Sequence, residues 1–97
     1  MSFQGEKFYQ SYLEGNLGEV KQYLKHGISY SDPIKGSTDM HVACREGRNS
    51  VIKYLLTLPH SFILKSDKDG NSPLMIACKS GKEEIVEMLL EDERTNF

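Results

Sequence analysis

Ninety-seven residues carry twelve basic and fourteen acidic side chains, a net charge of −2 with no lysine or arginine cluster, so the attraction that dominates nucleic-acid and anionic-membrane affinity is missing. Hydrophobic residues make up 38% and charged residues 27%, which fits one globular domain and is too apolar for a disordered chain. No apolar run approaches the roughly eighteen residues of a spanning helix, and residues 1–7 lack a signal-peptide core, so membrane insertion is not expected and the expected location is intracellular: cytoplasm, or nucleus.

The first segment places Phe8 and Tyr12 on one side of a helix whose other positions, Gln4, Glu6, Lys7, Gln10 and Glu14, are polar. That pattern suits a terminal helix with one side in water. A second helix follows Gly15-Asn16 and ends at Gly27 after Lys25 and His26, cations that suit a helix C-terminus. Pro33-Ile34-Lys35-Gly36 then reads as a turn. Met40, Ala43 and Cys44 line the next helix, and Val51, Ile52, Leu55 and Leu56 the one after it.

The last segment is the most explicit. Asp67-Lys68-Asp69-Gly70-Asn71 is a run of turn formers, Ser72 is an N-cap, and Pro73 occupies the first helical position. Leu74, Ala77 and Cys78 share one face of a two-turn helix that Lys79-Ser80-Gly81 closes. A longer amphipathic helix sets Ile85, Val86, Met88, Leu89 and Leu90 against Glu83, Glu84, Glu87 and Glu91.

These segments are copies of one unit. A shift of thirty-four residues lays Gly36-Ser37-Thr38-Asp39-Met40-His41-Val42-Ala43-Cys44-Arg45-Glu46-Gly47 on the stretch from Gly70 to Gly81, and Val51-Ile52-Lys53-Tyr54-Leu55-Leu56 on Ile85-Val86-Glu87-Met88-Leu89-Leu90. A fainter copy starts at Gly15, thirty-two residues before Gly47. A period of this size marks a stacked-repeat protein, and about three units is the usual minimum for a continuous core.

The unit resembles the ankyrin repeat, D-x-x-G-x-T-P-L-H-x-A-A-x-x-G followed by a helix ending in L-L. The last copy carries Asp67, Gly70, Ser72, Pro73, Leu74, Ala77, Cys78 and Gly81; the middle copy keeps Gly36, Thr38, His41, Ala43 and Gly47 but has Asp39 for Pro and Met40 for Leu. The tetratricopeptide repeat, of similar length, needs large aromatic signatures in its first helix where this chain has Ala-Cys. The resemblance implies an all-α solenoid of three helix-turn-helix units with projecting turns. It forms a single domain over 1–97: a degenerate unit at 1–31, a second at 32–65, and a third at 66–97 that stops where a next finger would begin.

Chemistry finds little foothold. His41 and Cys44, at i and i+3, could be drawn as a nucleophile pair or half a zinc site, but no third ligand or orienting acid accompanies them, and the resemblance makes His41 a bridge between turns. Cys44 and Cys78 share one repeat position on inner helices about 8–10 Å apart, beyond the ~7 Å that a disulfide tolerates. Both are expected as reduced core thiols. Asp67-Lys68-Asp69-Gly70-Asn71 opens like a calcium loop but has Ser72 and Cys78 where that loop needs Gly and Glu. Glu83, Glu84, Glu87, Glu91, Asp92 and Glu93 read as a solvated helix face, with the steering of a basic partner as the alternative. No catalytic residue, metal ligand or cofactor site is expected.

The function implied by the resemblance is binding of another protein along the concave face. The contact positions it assigns are Ile34, Lys35, Ser37, Arg45 and Glu46 in the middle unit, then Lys68, Asp69, Asn71, Lys79 and Ser80 in the last. The alternative is the N-terminal piece of a longer array that scaffolds an activity located elsewhere. Self-association is a further expectation, because the last unit keeps Met75, Ile76, Ile85 and Met88, apolar residues suited to an internal repeat.

Overall fold

The computed structural model describes residues 3–27, 36–58 and 64–95, with side chains from residue 7 onward. Six helices follow in order: α1 (Phe3–Glu14), α2 (Leu17–Lys25), α3 (Asp39–Glu46), α4 (Asn49–Leu56), α5 (Pro73–Lys79) and α6 (Glu83–Glu91), with a single 3-10 turn at Glu93–Thr95. Each pair is joined by a tight turn, and the pairs stack in two rows. The inner row is α1 on α3 on α5; the outer row is α2 on α4 on α6.

The helix starts are set by side chains at their first turns. Asn16 Oδ1 accepts from the Glu19 amide at 3.1 Å, and Ser72 Oγ from the Met75 amide at 3.3 Å, with Pro73 directly behind it. α3 has Asp39 where the repeat pattern has Pro, and Asp39 Oδ1 accepts the Met40 amide at 2.8 Å. A carboxylate at that end of a helix also meets the positive pole of the backbone dipoles.

One core runs through the stack. Phe8 and Tyr12 enter it from α1, Val20 from α2, Met40, Ala43 and Cys44 from α3, Val51, Ile52 and Leu55 from α4, Ala77 from α5, and Ile85 and Leu89 from α6. The Phe8 ring lies 4.9 Å from Tyr12 and 5.3 Å from Tyr23, so the first unit sets aromatics at the positions that Met40, Cys44 and Leu55 hold in the next.

Burial depends on how many neighbours a unit has. In the middle unit, covered on both sides, every residue from Asp39 to Cys44 is buried; in α5 of the last unit only Pro73 and Ala77 are. Cys78 is therefore exposed, not a core thiol as its register with buried Cys44 predicts, because among the described residues no unit stacks on its side. Of the apolar residues expected to mark an uncovered end, Met75 is 45% exposed, Ile76 and Met88 are half-buried, and Ile85 is buried.

A clasp follows α6. The Arg94 guanidinium donates to the carbonyl of Leu56, the last residue of α4, at 2.7 Å and to that of Leu58, just beyond the helix, at 2.8 Å, while Asp92 grips the same guanidinium at 2.9 Å. The last unit is thereby tied back to the end of the middle one.

Candidate protein-interaction face

The turns of the last two units lie against each other. Gly36 has φ +71, and a Cβ there would come within 3.1 Å of the Lys68 amide nitrogen, so both the backbone conformation and the approach of the next turn require glycine. The turn of the last unit is organised by Asp67, whose Oδ1 accepts from the amides of Asn71 at 2.8 Å and Asp69 at 3.0 Å. Those amides hold its carboxyl below the usual carboxylate range, the Asn71 amide most strongly. The oxygens that resemble a calcium loop in sequence thus serve the backbone.

His41 locks this arrangement. Its Nδ1 accepts from the Thr38 amide at 3.0 Å, with the Thr38 hydroxyl 2.8 Å away, and its Nε2 lies 2.9 Å from the Asn71 carbonyl of the next turn. The bond from the amide leaves Nδ1 bare, so Nε2 carries the proton and donates across the thirty-residue gap. A ring with both nitrogens committed and 1% exposure has no capacity for a metal or a substrate. Burial pushes the Cys44 thiol up to about 12, so it is no nucleophile at neutral pH.

A second buried pair joins the first two units. The Tyr12 hydroxyl donates to Asp39 Oδ2 at 3.2 Å. Burial raises the Asp39 carboxyl above its ordinary range, against the pull of the Met40 amide and the Tyr12 hydroxyl. Burial raises Tyr12 too, and the Asp39 charge adds to it.

On this base stand the residues assigned to contact. Arg45 is exposed at the end of α3; it donates to the Tyr9 hydroxyl at 3.1 Å and pairs with half-buried Glu46 at 3.3 Å. Lys79, at the same repeat position in α5, is exposed and donates to Asn71 Oδ1 at 2.7 Å. Lys68, Asp69 and Ser80 are exposed, and Asn71 is half-buried. Of these residues, the structure joins Asn71 of the last unit's turn to Lys79 in the last turn of α5. Ser37 departs from the assignment: it is 7% exposed, because the next turn lies directly on this stretch, and it has almost no surface to offer. Ile34 and Lys35 lie outside the described residues.

Tyr9 was missed. Counting back thirty-two residues puts it on the position of His41, on the inner helix of the first unit, and that register is the signal that locates it beside Arg45. It extends the row of polar side chains across all three units.

Among the described residues no three His, Cys, Asp or Glu side chains gather as a metal site, and no helix is long and apolar enough to cross a membrane. No curated protein matches the chain by sequence. A family model described as ankyrin repeats matches residues 8–97 in three copies. Ankyrin repeats are generally protein–protein interaction modules and typically non-enzymatic. With two rows of paired helices, apposed turns and a histidine bridge between them, the chain belongs to the ankyrin-repeat family.

Proposed function

We propose that this chain binds a partner protein with the face made by its turns and inner helices, as a regulator or adaptor with no catalysis of its own. The observation that carries this reading is the contrast along α3 and α5. The core side of α3 is sealed from Asp39 to Cys44, while Arg45 and Lys79, one repeat apart, stand exposed and are held in place by Tyr9, Glu46 and Asn71. Polar groups fixed on a rigid base lose little side-chain freedom on binding, which favours a specific contact. Two unpaired cysteines, one of them exposed, suit action in a reducing intracellular compartment.

The test is a comparison of the proteins captured by the wild-type chain and by the Arg45→Glu, Lys79→Glu double variant. A partner bound at this face is retained by the first and lost by the second, at a cost of up to a few kcal/mol, with an unchanged melting temperature. Equal capture by both, or unfolding of the variant, refutes the assignment.

A further inference from the structure

Against the repeat register, the α5–α6 end of the stack is uncovered among the described residues. Cys44, His41 and Leu56 of the middle unit fall on Cys78, Met75 and Leu90 of the last. The first two are buried at 0% and 1% and Leu56 is half-buried, whereas Cys78 is exposed, Met75 is 45% exposed and Leu90 52%. The glycines tell the same story. A Cβ placed on Gly47 would meet the stem of Lys82; one placed on its counterpart Gly81 would meet nothing within 4 Å among the described residues. Between α5 and α6 this leaves an open groove of about 270 Å³, floored by Ala77, Cys78 and Val86 and flanked by Glu83 and Glu87.

Charge says what fits there. On the middle unit the two flanking positions are Asn49 and Lys53, and Asn49 donates to Glu84 of the acidic helix packed against it. On the last unit the same two positions are Glu83 and Glu87, so the face has inverted its preference. Lys82, the cation lining the groove, turns its stem away over Gly47. An acidic helix like α6 is repelled, and so is a second copy presenting this same face. A copy stacked in the ordinary sense would offer its first unit, where Asn16, Gly18 and Gln22 occupy the positions of Lys82, Glu84 and Met88, all three exposed and carrying neither an apolar side chain nor a cation. We infer that the α5–α6 end face docks a basic amphipathic helix of another protein, its apolar side on Val86, Cys78 and Leu90 and its lysines or arginines on Glu83 and Glu87.

Neither Arg45 nor Lys79 lines this groove, so the variants that test the two readings are different. The probe is a synthetic helical peptide with leucines on one side and lysines on the other, titrated against the whole chain by fluorescence anisotropy, with a twin carrying glutamate for lysine. The lysine peptide should bind, more weakly with added salt, and slow the alkylation of Cys78; the twin should not bind. Glu83→Gln with Glu87→Gln, and separately Leu90→Gln, should each weaken binding on the order of tenfold. Glu14→Gln with Glu93→Gln removes as much charge from exposed sites that do not line the groove and should change it little. An equal loss in that control means that only general charge attraction was seen, and overturns the proposal. So does an alkylation rate unaffected by peptide, or a chain that self-associates above 11.0 kDa with Cys78 shielded before any peptide is added.

Discussion

His41 offers the sharpest test of how the units are joined. In His41→Ala the Thr38 amide, inside a residue 1% exposed, loses its acceptor, which costs about 1–3 kcal/mol. The bond to the Asn71 carbonyl also goes, but that oxygen keeps a second donor, the Asp67 amide at 2.9 Å, so only about 1 kcal/mol is lost there. The vacated ring space adds a cavity term of about 1 kcal/mol or more. The sum is about 3–5 kcal/mol, a large share of the ~5–15 kcal/mol that holds a domain together. Urea unfolding followed by circular dichroism should show a midpoint lower by more than about 1 M, given slopes of ~1–3 kcal/mol per molar. Hydrogen exchange should show the Thr38 amide losing its protection before the α4 amides do. A variant within about 1 kcal/mol of wild type, or an unchanged Thr38 amide, would refute the account of His41 as the bridge between turns.

The two cysteines should separate cleanly: maleimide modifies Cys78 in the native chain and Cys44 only after denaturation, and equal rates under native conditions would contradict the one-sided covering of the stack. Asp39 should make part of the stability pH-dependent. Its folded-state value is raised above 3.8, so its contribution is complete below that pH and is lost as pH rises through the folded value; Asp39→Asn should equal or exceed wild type at pH 7, and the gap should close toward pH 4. A gap that widens on acidification reverses the sign and removes the burial argument. Arg94→Ala should cost about 1–2 kcal/mol, discounted because the side chain is 32% exposed, and lower the melting temperature by roughly 4–16 °C, with no rescue by Arg94→Lys because an ammonium cannot span two carbonyls and Asp92. An unchanged melting point would show the clasp to be ornamental.

What the amino-acid order reveals follows from what repetition encodes. The small pair Ala43-Cys44 and the thirty-four-residue step identify inner helices and their neighbours, and buried Met40, Ala43, Ile52 and Leu55 lie where that step places them. The same reasoning assigns every unit identical surroundings, whereas among the described residues the last unit is packed on one side only. That is why Cys78 is exposed, although the period gives it the environment of Cys44. The Tyr12–Asp39 bond is hidden for a different reason: it joins two departures from the pattern, an aromatic in the degenerate unit and an acid in place of proline, and neither announces the other across 27 residues. Ser37 and Arg94 fail similarly, one covered by a turn that belongs to another unit, the other without a matching arginine in the middle copy, where His60 holds its register.

Departures from the period are therefore the positions at which this chain says something about itself rather than about its repeat. Glu83 and Glu87 illustrate how much one can carry. Had they kept the character of Asn49 and Lys53, the end of the stack would present the face that receives an acidic helix such as α6, and any further unit of the same kind would fit it. With two carboxylates beside an uncovered apolar floor, a helix of the same charge meets like charges at close range, which costs more as water is excluded between them. Only an occupant that brings cations along with its apolar side gains on both counts, so the end that looks like an unfinished stack is selective about what completes it.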